Sequence, residues 1–252
     1  MEALYRRYNR REYVHPDPLE FLYNYSNALD REIVGLIASS LAYGRVAQIL
    51  KSVSRVLGVM GESPRAFVVG TKEGDIVKSF RGFKHRFHDC RDIAALLIGI
   101  KKVINRHGSL EACFLSAFRR AGSDLVAALS GFVGEISEGG GTCMLSDPSK
   151  GSACKRLNLY LRWMVRHDDV DPGGWKRIDP SKLIVPLDTH MYKIGRKLGF
   201  TKRRQANMKT AVEITKAFSR FSPRDPVRYD FTLTRFGIRG DMKVDSLDKI
   251  LS

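Results

Sequence analysis

Cysteines at metal-binding spacing are missing from this sequence. It contains four cysteines, and the intervals between them are 23, 30 and 11 residues. A structural zinc site needs closely spaced ligand pairs, and an iron–sulfur cluster usually needs a compact run of cysteines. We therefore expect Cys90, Cys113, Cys143 and Cys154 to be structural thiols, and we expect no metal and no cofactor.

Long apolar runs are missing as well. The best one, residues 93–100, is far shorter than the ~20 apolar residues of a membrane span. The N-terminal segment MEALYRRYNRREY has no apolar stretch of the kind found in secretory signals. We expect a cytoplasmic protein with no membrane partner. The 252 residues suffice for one large domain or two small ones, and 43% hydrophobic residues is an ordinary value for a globular chain.

Acidic residues are few. The 27 Asp and Glu stand against 43 Lys and Arg, which gives a net charge of +16. The excess is concentrated, because residues 193–224 contain ten basic residues and a single acid, Glu213. Such a concentration indicates a protein that binds the phosphate backbone of a nucleic acid. The alternative is a solvated helix face that keeps the protein soluble, and charge alone does not distinguish DNA from RNA.

Strand alternation and internal repeats are also absent, and apolar residues recur at helical spacing instead. The helical segments are 32–58, 91–108, 110–122, 124–137, 154–167, 189–199, 205–221 and 227–236. The predicted N-terminal caps are Asp30, Ser109, Ser123 and Asp225-Pro226, and the predicted C-terminal glycines are Gly108 and Gly199. Residues 138–141 and 168–186 are predicted to be a break and a loop. The pattern predicts a compact all-α fold of about eight to ten helices.

Asp188 directly follows the apolar run LIVPL and precedes an amphipathic helix. Its carboxylate can accept hydrogen bonds from first-turn amides and stay ionised near the positive helix end, although a plain N-terminal cap is the alternative. The string LDTH (187–190), with its helix and Leu-Gly stop, closely resembles a segment of the helix-hairpin-helix DNA glycosylases, which include endonuclease III and the 8-oxoguanine glycosylases. The resemblance implies that Asp188 is the catalytic carboxylate. His190 is assigned to the substrate site, where it would order this turn, or is an ordinary structural histidine.

Residues 147–166 resemble a second motif of that superfamily, a Leu-Pro-Gly-x-Gly-x-Lys hairpin followed by a helix. The hairpin amides bind a DNA phosphate, and in bifunctional members the lysine is the nucleophile. Pro148, Gly151 and Lys155 keep the outline, but Ser-Lys-Gly-Ser replaces the Gly-x-Gly core. The resemblance makes Lys155 the nucleophile. Lys150 is the alternative nucleophile. The other possibility is that the lysine only contacts a phosphate or solvent and has no catalytic role. The expected DNA contacts here are Ser149, Lys150, Gly151 and Arg156.

Other contacts are implied by position within the superfamily. The turn after its first barrel helix inserts residues into the DNA, and the string there is AYGR (42–45). Tyr43 is expected to wedge into the base stack and Arg45 to pair with the orphaned base or a phosphate; a core tyrosine and a surface arginine are equally compatible. Arg196 is another expected DNA contact. Trp163, about two helical turns beyond Lys155, and Trp175 are expected to stack on the flipped base, with core packing as the alternative.

The resemblance covers residues 30–240 in outline, and LDTH is its specific motif. The 33 residues from Lys155 to Asp188 resemble the spacing in the archaeal 8-oxoguanine branch. The resemblance implies two helical lobes with a helix-hairpin-helix element and an active-site cleft between them. One lobe would be 31–186, which includes the hairpin, and the other 1–30 with 187–252, in a single compact unit.

The implied function is base-excision repair. A monomeric, nucleoid-associated glycosylase with AP lyase activity would flip a damaged base, with 8-oxoguanine favoured, out of double-stranded DNA and excise it through a Schiff base on the lysine. Two alternatives stay open. One is a non-catalytic DNA- or RNA-binding protein on the same fold. The other is a metal-dependent nuclease that uses Asp168, Asp169 and Asp171.

Overall fold

The computed structural model describes residues 1–138 and 144–238, and this part of the chain is mostly helical. The α-helices are α1 (Glu2–Tyr8), α2 (Ala28–Ser40), α3 (Val46–Met60), α4 (Pro64–Gly70), α5 (Glu73–Ser79), α6 (Cys90–His107), α7 (Leu110–Arg120), α8 (Leu125–Ser137), α9 (Lys155–Val165), α10 (Thr189–Lys197), α11 (Met208–Ser219) and α12 (Asp230–Ile238). Short 3-10 helices occupy Arg11–Tyr13, Pro18–Asn24, Pro148–Lys150 and Pro180–Lys182. Strands β1 (Lys84–His85) and β2 (His88–Asp89) form a small antiparallel hairpin. None of the helices in these two ranges has the length and apolar character needed to cross a membrane.

The longer predicted helices are confirmed, and so are several of their ends. Gly108 and Gly199 follow α6 and α10 with φ values of 83° and 71°, the left-handed conformation that glycine adopts without strain. The Ser109 hydroxyl accepts a hydrogen bond from the Ala112 amide (3.0 Å) and caps α7. These signals are local, so the sequence alone was enough to place them.

The run 32–58 is two helices rather than one. Between α2 and α3, Gly44 has a φ of 96°, which an α-helix does not allow. Leu41 and Ile49, on either side of the break, are both buried, so the apolar spacing gave no sign of it. The predicted cap Asp30 is also wrong, because Asn27 caps α2. The buried Asp30 carboxylate instead accepts hydrogen bonds at the start of α4.

Two further caps differ from the prediction. Asp124, one residue beyond Ser123, caps α8 through the Ala127 amide (2.9 Å). α12 begins at Asp230 and not after Asp225-Pro226, since the Asp225 carboxylate accepts hydrogen bonds from Nε of Arg166 (2.9 and 3.1 Å). The short helices α1, α4 and α5 and the β-hairpin were not predicted, because about two turns show too little periodicity. Of the predicted break at 138–141, residues 139–141 lie outside the described residues, as does Cys143.

One hydrophobic core extends from Leu4 in α1 to Phe236 in α12, and α2 lies at its centre, in contact with α4, α7 and α9. The buried Glu32 of α2 joins three elements. Its carboxylate accepts the Leu110 and Glu111 amides at the start of α7 (2.9 and 3.0 Å) and the indole N–H of Trp175 (2.9 Å). The core therefore fixes α9 and the loop that leads to α10, the two elements whose N-terminal ends carry the site.

Substitutions at two glycines would test the packing of α6 against α8. A Cβ atom at Gly99 in α6 would lie 2.1 Å from the backbone oxygen of Ile136, whereas a Cβ at Gly134 in α8 meets nothing within 4 Å. We expect Gly99→Ala to lower the free energy of unfolding by about 3 kcal/mol through overpacking. The matched control Gly134→Ala should raise it by roughly 0.5–1 kcal/mol through helix propensity. Urea denaturation measures both, and a Gly99→Ala protein as stable as the parent would contradict the close contact.

Candidate active site

Lys155 and Asp188, 33 residues apart in sequence, come together at two helix N-termini. Lys155 is the first residue of α9, and Asp188 is the N-terminal cap of α10. Asp188 Oδ1 accepts the Met191 amide (2.8 Å), which leaves Oδ2 at 3.8 Å from the Lys155 ammonium nitrogen. The lysine side chain is 35% exposed and the aspartate 17%, so the pair is partly shielded and still open to a ligand.

The pair lines a cavity of about 440 Å³. Other predicted residues on its wall are Tyr43, Trp163 and His190. The wall also includes four charged residues that the sequence did not single out, Asp17, Arg162 of α9, and Asp230 and Arg235 of α12. A second hollow, of about 720 Å³, shares Lys155, Asp188 and Tyr43 with the first and adds Arg156 and Arg204. Lys155 and Asp188 therefore border both spaces.

A buried ion-pair network underlies the cavity. Arg162 donates from Nη1 to Asp230 Oδ2 (2.5 Å) and from Nε to Asp171 Oδ1 (3.2 Å). Burial alone would lower the pKa of Arg162, but the carboxylates of Asp171 and Asp230 raise it above its ordinary value. Arg166, the residue that follows α9, binds Asp168, Asp171 and Asp225. The network ties α9 to α12 and to the loop 168–186, which fixes the cavity wall.

The Asp168, Asp169 and Asp171 loop therefore does not fit the metal site of a nuclease. Arg166 binds both Asp168 and Asp171, and Asp169 is exposed. Burial would raise the pKa of Asp168, yet the Arg166 charge and the amides of Asp171 and Val170 hold it at about 2. These carboxylates neutralise arginines, so the interpretation of the loop as a metal site is wrong.

A second cluster of potential metal ligands, His107, Cys113 and Glu135, has ligand atoms within 4.8 Å of one another. Both oxygens of Glu135 already accept hydrogen bonds from arginines, Arg106 (2.6 Å) and Arg120 (3.1 Å). Burial raises the pKa of the Cys113 thiol to about 12, so the thiol keeps its proton. The cluster is best described as a salt-bridge network.

The two tryptophans have different positions. Trp163 is buried but lines the cavity beside Lys155. Trp175 lies in the core, where its ring packs against Phe114 and Tyr160 (centroid distances 5.6 and 5.2 Å) and its N–H is bonded to Glu32. Trp175 is absent from the walls of both hollows. The expectation that Trp175 stacks on a flipped base is therefore corrected to a packing role.

The expected DNA contacts also differ in their positions relative to the two hollows. Ser149 and Lys150 are exposed on a 3-10 turn that ends at Gly151 (φ 82°), outside the walls of both hollows. Lys150 is therefore less suitably placed than Lys155 as a nucleophile. Arg156 donates to the Ser40 carbonyl oxygen (2.6 Å), and its guanidinium carbon lies 5.1 Å from the Tyr43 ring centroid. Arg45 and Arg196 are exposed.

An exposed aromatic side chain lies on a hairpin that is bonded to the cavity wall, and sequence reasoning missed it. Phe87, at the tip of the β1–β2 hairpin, is 84% exposed. The hairpin is fastened to the cavity wall, because Tyr43 donates its hydroxyl hydrogen to the His85 carbonyl (3.0 Å) and packs edge-on against the His85 ring. Arg86 lies over the Tyr43 ring at 5.9 Å. Tyr43 thus anchors the hairpin, and Phe87 is the aromatic group that projects into solvent.

The basic face is the exposed surface of α10 and the chain that follows it. Its members are Lys193, Arg196, Lys197, Lys202, Arg203, Arg204 and Lys209. Glu213 binds Arg203 (2.8 Å), while Arg204 lines the second hollow together with Lys155 and Asp188. The basic face therefore reaches the border of the candidate active site.

Comparison with known proteins gave one match. A family model described as a protein of unknown function, DUF2400, matches residues 17–239. No curated protein and no solved structure matches the chain. The matched range includes Lys155, Asp188, the β1–β2 hairpin and the polar residues of α12. The chain therefore belongs to the DUF2400 family.

Proposed function

We propose that this protein is a DNA glycosylase with AP lyase activity that excises a damaged base from double-stranded DNA. The observation that carries the proposal is the approach of Lys155 to Asp188 at the edge of a cavity of about 440 Å³, a volume larger than that of a nucleobase. Imine chemistry on a deoxyribose in DNA needs a primary amine as the nucleophile, a carboxylate beside it and a basic surface that binds the DNA, and all three groups are present here.

The proposed architecture is the two-lobed helix-hairpin-helix arrangement, with lobes 31–186 and 1–30 plus 187–252 and the cleft between them. The hairpin is residues 147–166, a 3-10 turn that leads into α9. Its 3-10 turn presents the exposed side chains of Ser149 and Lys150, which are the proposed phosphate contacts, and ends at left-handed Gly151. The Gly151 carbonyl accepts the Met208 amide (3.3 Å), which holds the turn against α11.

The proposed reaction begins when the damaged nucleotide leaves the base stack and enters the cavity. The bond between C1′ and the base breaks, and its electron pair leaves with the base, which takes up a proton. The Asp188 carboxylate stabilises the positive charge that develops on the sugar. The Lys155 ammonium loses a proton to solvent, and the resulting amine bonds to C1′. The ring oxygen then takes a proton from this nitrogen as the sugar ring opens to a protonated imine. Loss of a C2′ proton then expels the 3′ phosphate, and water hydrolyses the imine to restore the lysine.

The basic face supports duplex binding. It supplies exposed lysines and arginines beside the catalytic pair, and each cation that neutralises a phosphate releases counterions. Binding is therefore expected to weaken steeply with salt. The protein would act as a monomer on DNA in the nucleoid, with the phosphates on either side of the flipped nucleotide held by the basic face and by the hairpin turn.

Phe87 is the proposed wedge that fills the stack when the base leaves it. We expect Phe87→Ala to slow base release from duplex DNA by about 10- to 100-fold, since unstacking one step costs a few kcal/mol. Release from single-stranded DNA, which needs less unstacking, should change much less. The free energy of unfolding should stay within about 0.5 kcal/mol of the parent, because the side chain is 84% exposed.

The control for this variant is Phe221→Ala, which removes another exposed phenylalanine (56% exposed) that lies after α11 and outside the β1–β2 hairpin. It should leave both rates unchanged. Equal losses on duplex and single-stranded substrates in Phe87→Ala would argue against a wedge. They would point to a general binding role instead.

The proposed activity is tested on labelled duplexes that carry 8-oxoguanine, uracil, thymine glycol or an abasic site. Base release, strand cleavage and covalent trapping by borohydride are measured on each. Trapping on the abasic duplex is the expected minimum result. Salt-sensitive DNA binding without trapping or base release would leave a non-catalytic DNA- or RNA-binding protein, the interpretation that the altered Gly-x-Gly core favours.

A further inference from the structure

Asp230, Arg235 and Trp163 are three almost completely buried polar side chains in the wall of the active-site cavity. Asp230 and Arg235 are 3% exposed and Trp163 is 1% exposed, and all three line the cavity. Each has atoms without a hydrogen-bond partner in the described part of the chain. These atoms are Asp230 Oδ1, Arg235 Nε and Nη1, and Trp163 Nε1. We call these three residues the polar floor.

The polar floor is held rigidly by its other atoms. Asp230 Oδ2 accepts from Arg162 (2.5 Å), and Arg235 Nη2 donates to Asp17 Oδ2 (2.7 Å). The Arg235 guanidinium also lies 4.5 Å from the Phe231 ring centroid. Buried donors and acceptors without partners are costly, and three such side chains on the wall of one cavity are explained if a ligand supplies the missing bonds. The polar floor therefore has the character of a binding site prepared for a polar, planar ligand.

The inventory of free atoms restricts the ligand. The free atoms are three nitrogen donors, two of which belong to the charged Arg235 guanidinium, and one carboxylate oxygen, so the ligand must offer several acceptors and at least one N–H. Bases with a ring N–H beside a carbonyl meet this demand. Guanine, 8-oxoguanine, hypoxanthine and uracil belong to this class. Adenine and cytosine carry a ring nitrogen acceptor at the corresponding place, and a carboxylate repels it.

We propose that the polar floor binds the flipped base and selects bases whose Watson–Crick edge has a ring N–H beside a carbonyl, with Asp230 accepting the N–H and Arg235 and Trp163 donating to the carbonyl oxygens. This inference rests on the proposed glycosylase function and deepens it. Burial raises the pKa of Asp230 to about 6, with Arg162 opposing the rise and Asp188 adding to it. At neutral pH, Asp230 is therefore mostly an acceptor.

The first test compares matched bases in one duplex context. Release of 8-oxoguanine is compared with release of 8-oxoadenine, and release of hypoxanthine with release of adenine. In each pair only the first base has the ring N–H beside a carbonyl at the six-position. We expect the first member of at least one pair to be released about 100-fold faster or more, because a site built for hydrogen bonds rejects a base that leaves them unmade. Equal rates within both pairs, or release of none of these bases and of no uracil, would overturn the inference.

The second test uses Asp230→Asn, Arg235→Lys and Trp163→Phe, with Asp169→Asn as the control at an exposed aspartate. Two quantities are measured on each variant: release of the preferred base, and covalent trapping on a duplex with a preformed abasic site. The abasic site has no base to read, so trapping reports folding and the Lys155 chemistry. We expect base release, relative to trapping, to fall about 10- to 100-fold in the three floor variants and to stay constant in the control.

Two results separate the failure of this inference from the failure of the proposed function. No trapping by the parent protein on abasic DNA would reject the lyase function itself. If the parent protein is trapped normally, two outcomes would reject the polar floor alone. One is base release that is unaffected in the floor variants, and the other is base release and trapping that fall together in every folded floor variant. Circular dichroism identifies a variant that has not folded. If Asp230→Asn fails because Arg162 loses its counter-charge, Arg235→Lys and Trp163→Phe decide the question.

Discussion

Lys155→Gln is expected to abolish covalent trapping on abasic DNA, with a loss of at least about 1,000-fold. Glutamine keeps the length and polarity of the side chain but has no amine to form an imine. The side chain is 35% exposed and starts helix α9 without serving as its cap, so the fold should tolerate the change. Binding to duplex DNA should fall by no more than the loss of a single phosphate contact.

The matched variant Lys150→Gln separates the two candidate nucleophiles. Lys150 is exposed on the 3-10 turn and borders neither hollow, so its removal should leave trapping intact and weaken DNA binding slightly. A trapped adduct that persists in Lys155→Gln and disappears in Lys150→Gln would move the nucleophile to the hairpin. It would also require the hairpin to approach the sugar in the DNA complex.

The helical class and most long helices could be predicted, because their signals are local. Glycine after α6, serine before α7 and aspartate before α10 act within one turn of the chain. The break at Gly44 could not be predicted in this way, since the apolar spacing of α2 continues into α3 on the same side of the core. The start of α12 was missed for a different reason. Arg166 binds the carboxylate that the sequence offered as a cap, and a partner 59 residues away leaves no local signal.

The site was predictable only in part. The resemblance singled out Lys155 and Asp188, and the fold brings them to within 3.8 Å. Trp163 and Trp175 could not be distinguished from the sequence. Only the packing of the folded chain places Trp175 in the core and Trp163 in the cavity wall. Asp230 and Arg235 had a faint signal in the sequence, two charges in the otherwise apolar and hydroxyl-rich string DFTLTRF. Their role depends on burial at the cavity, which composition does not reveal.

Asp188→Asn should reduce base release by about 100- to 1,000-fold while the protein stays folded. The two functions of this side chain use different oxygens. Oδ1 caps α10 through the Met191 amide, and Oδ2 faces Lys155. Asparagine is as good an N-terminal cap as aspartate, so the helix keeps its cap while the negative charge is lost. The developing charge on the sugar would then have no counter-charge at this position.

The companion variant Asp188→Ala removes the cap as well as the charge. It should lose base release to a similar extent and also lower the free energy of unfolding by about 1 kcal/mol. Urea denaturation and base release, measured on the same preparations, separate the two effects. If Asp188→Asn kept parental rates, Asp188 would be a cap and nothing more. If both variants lost activity only in proportion to stability, the carboxylate would have no electrostatic role in the reaction. The catalytic assignment therefore depends on a large loss of activity in the variant that keeps the cap.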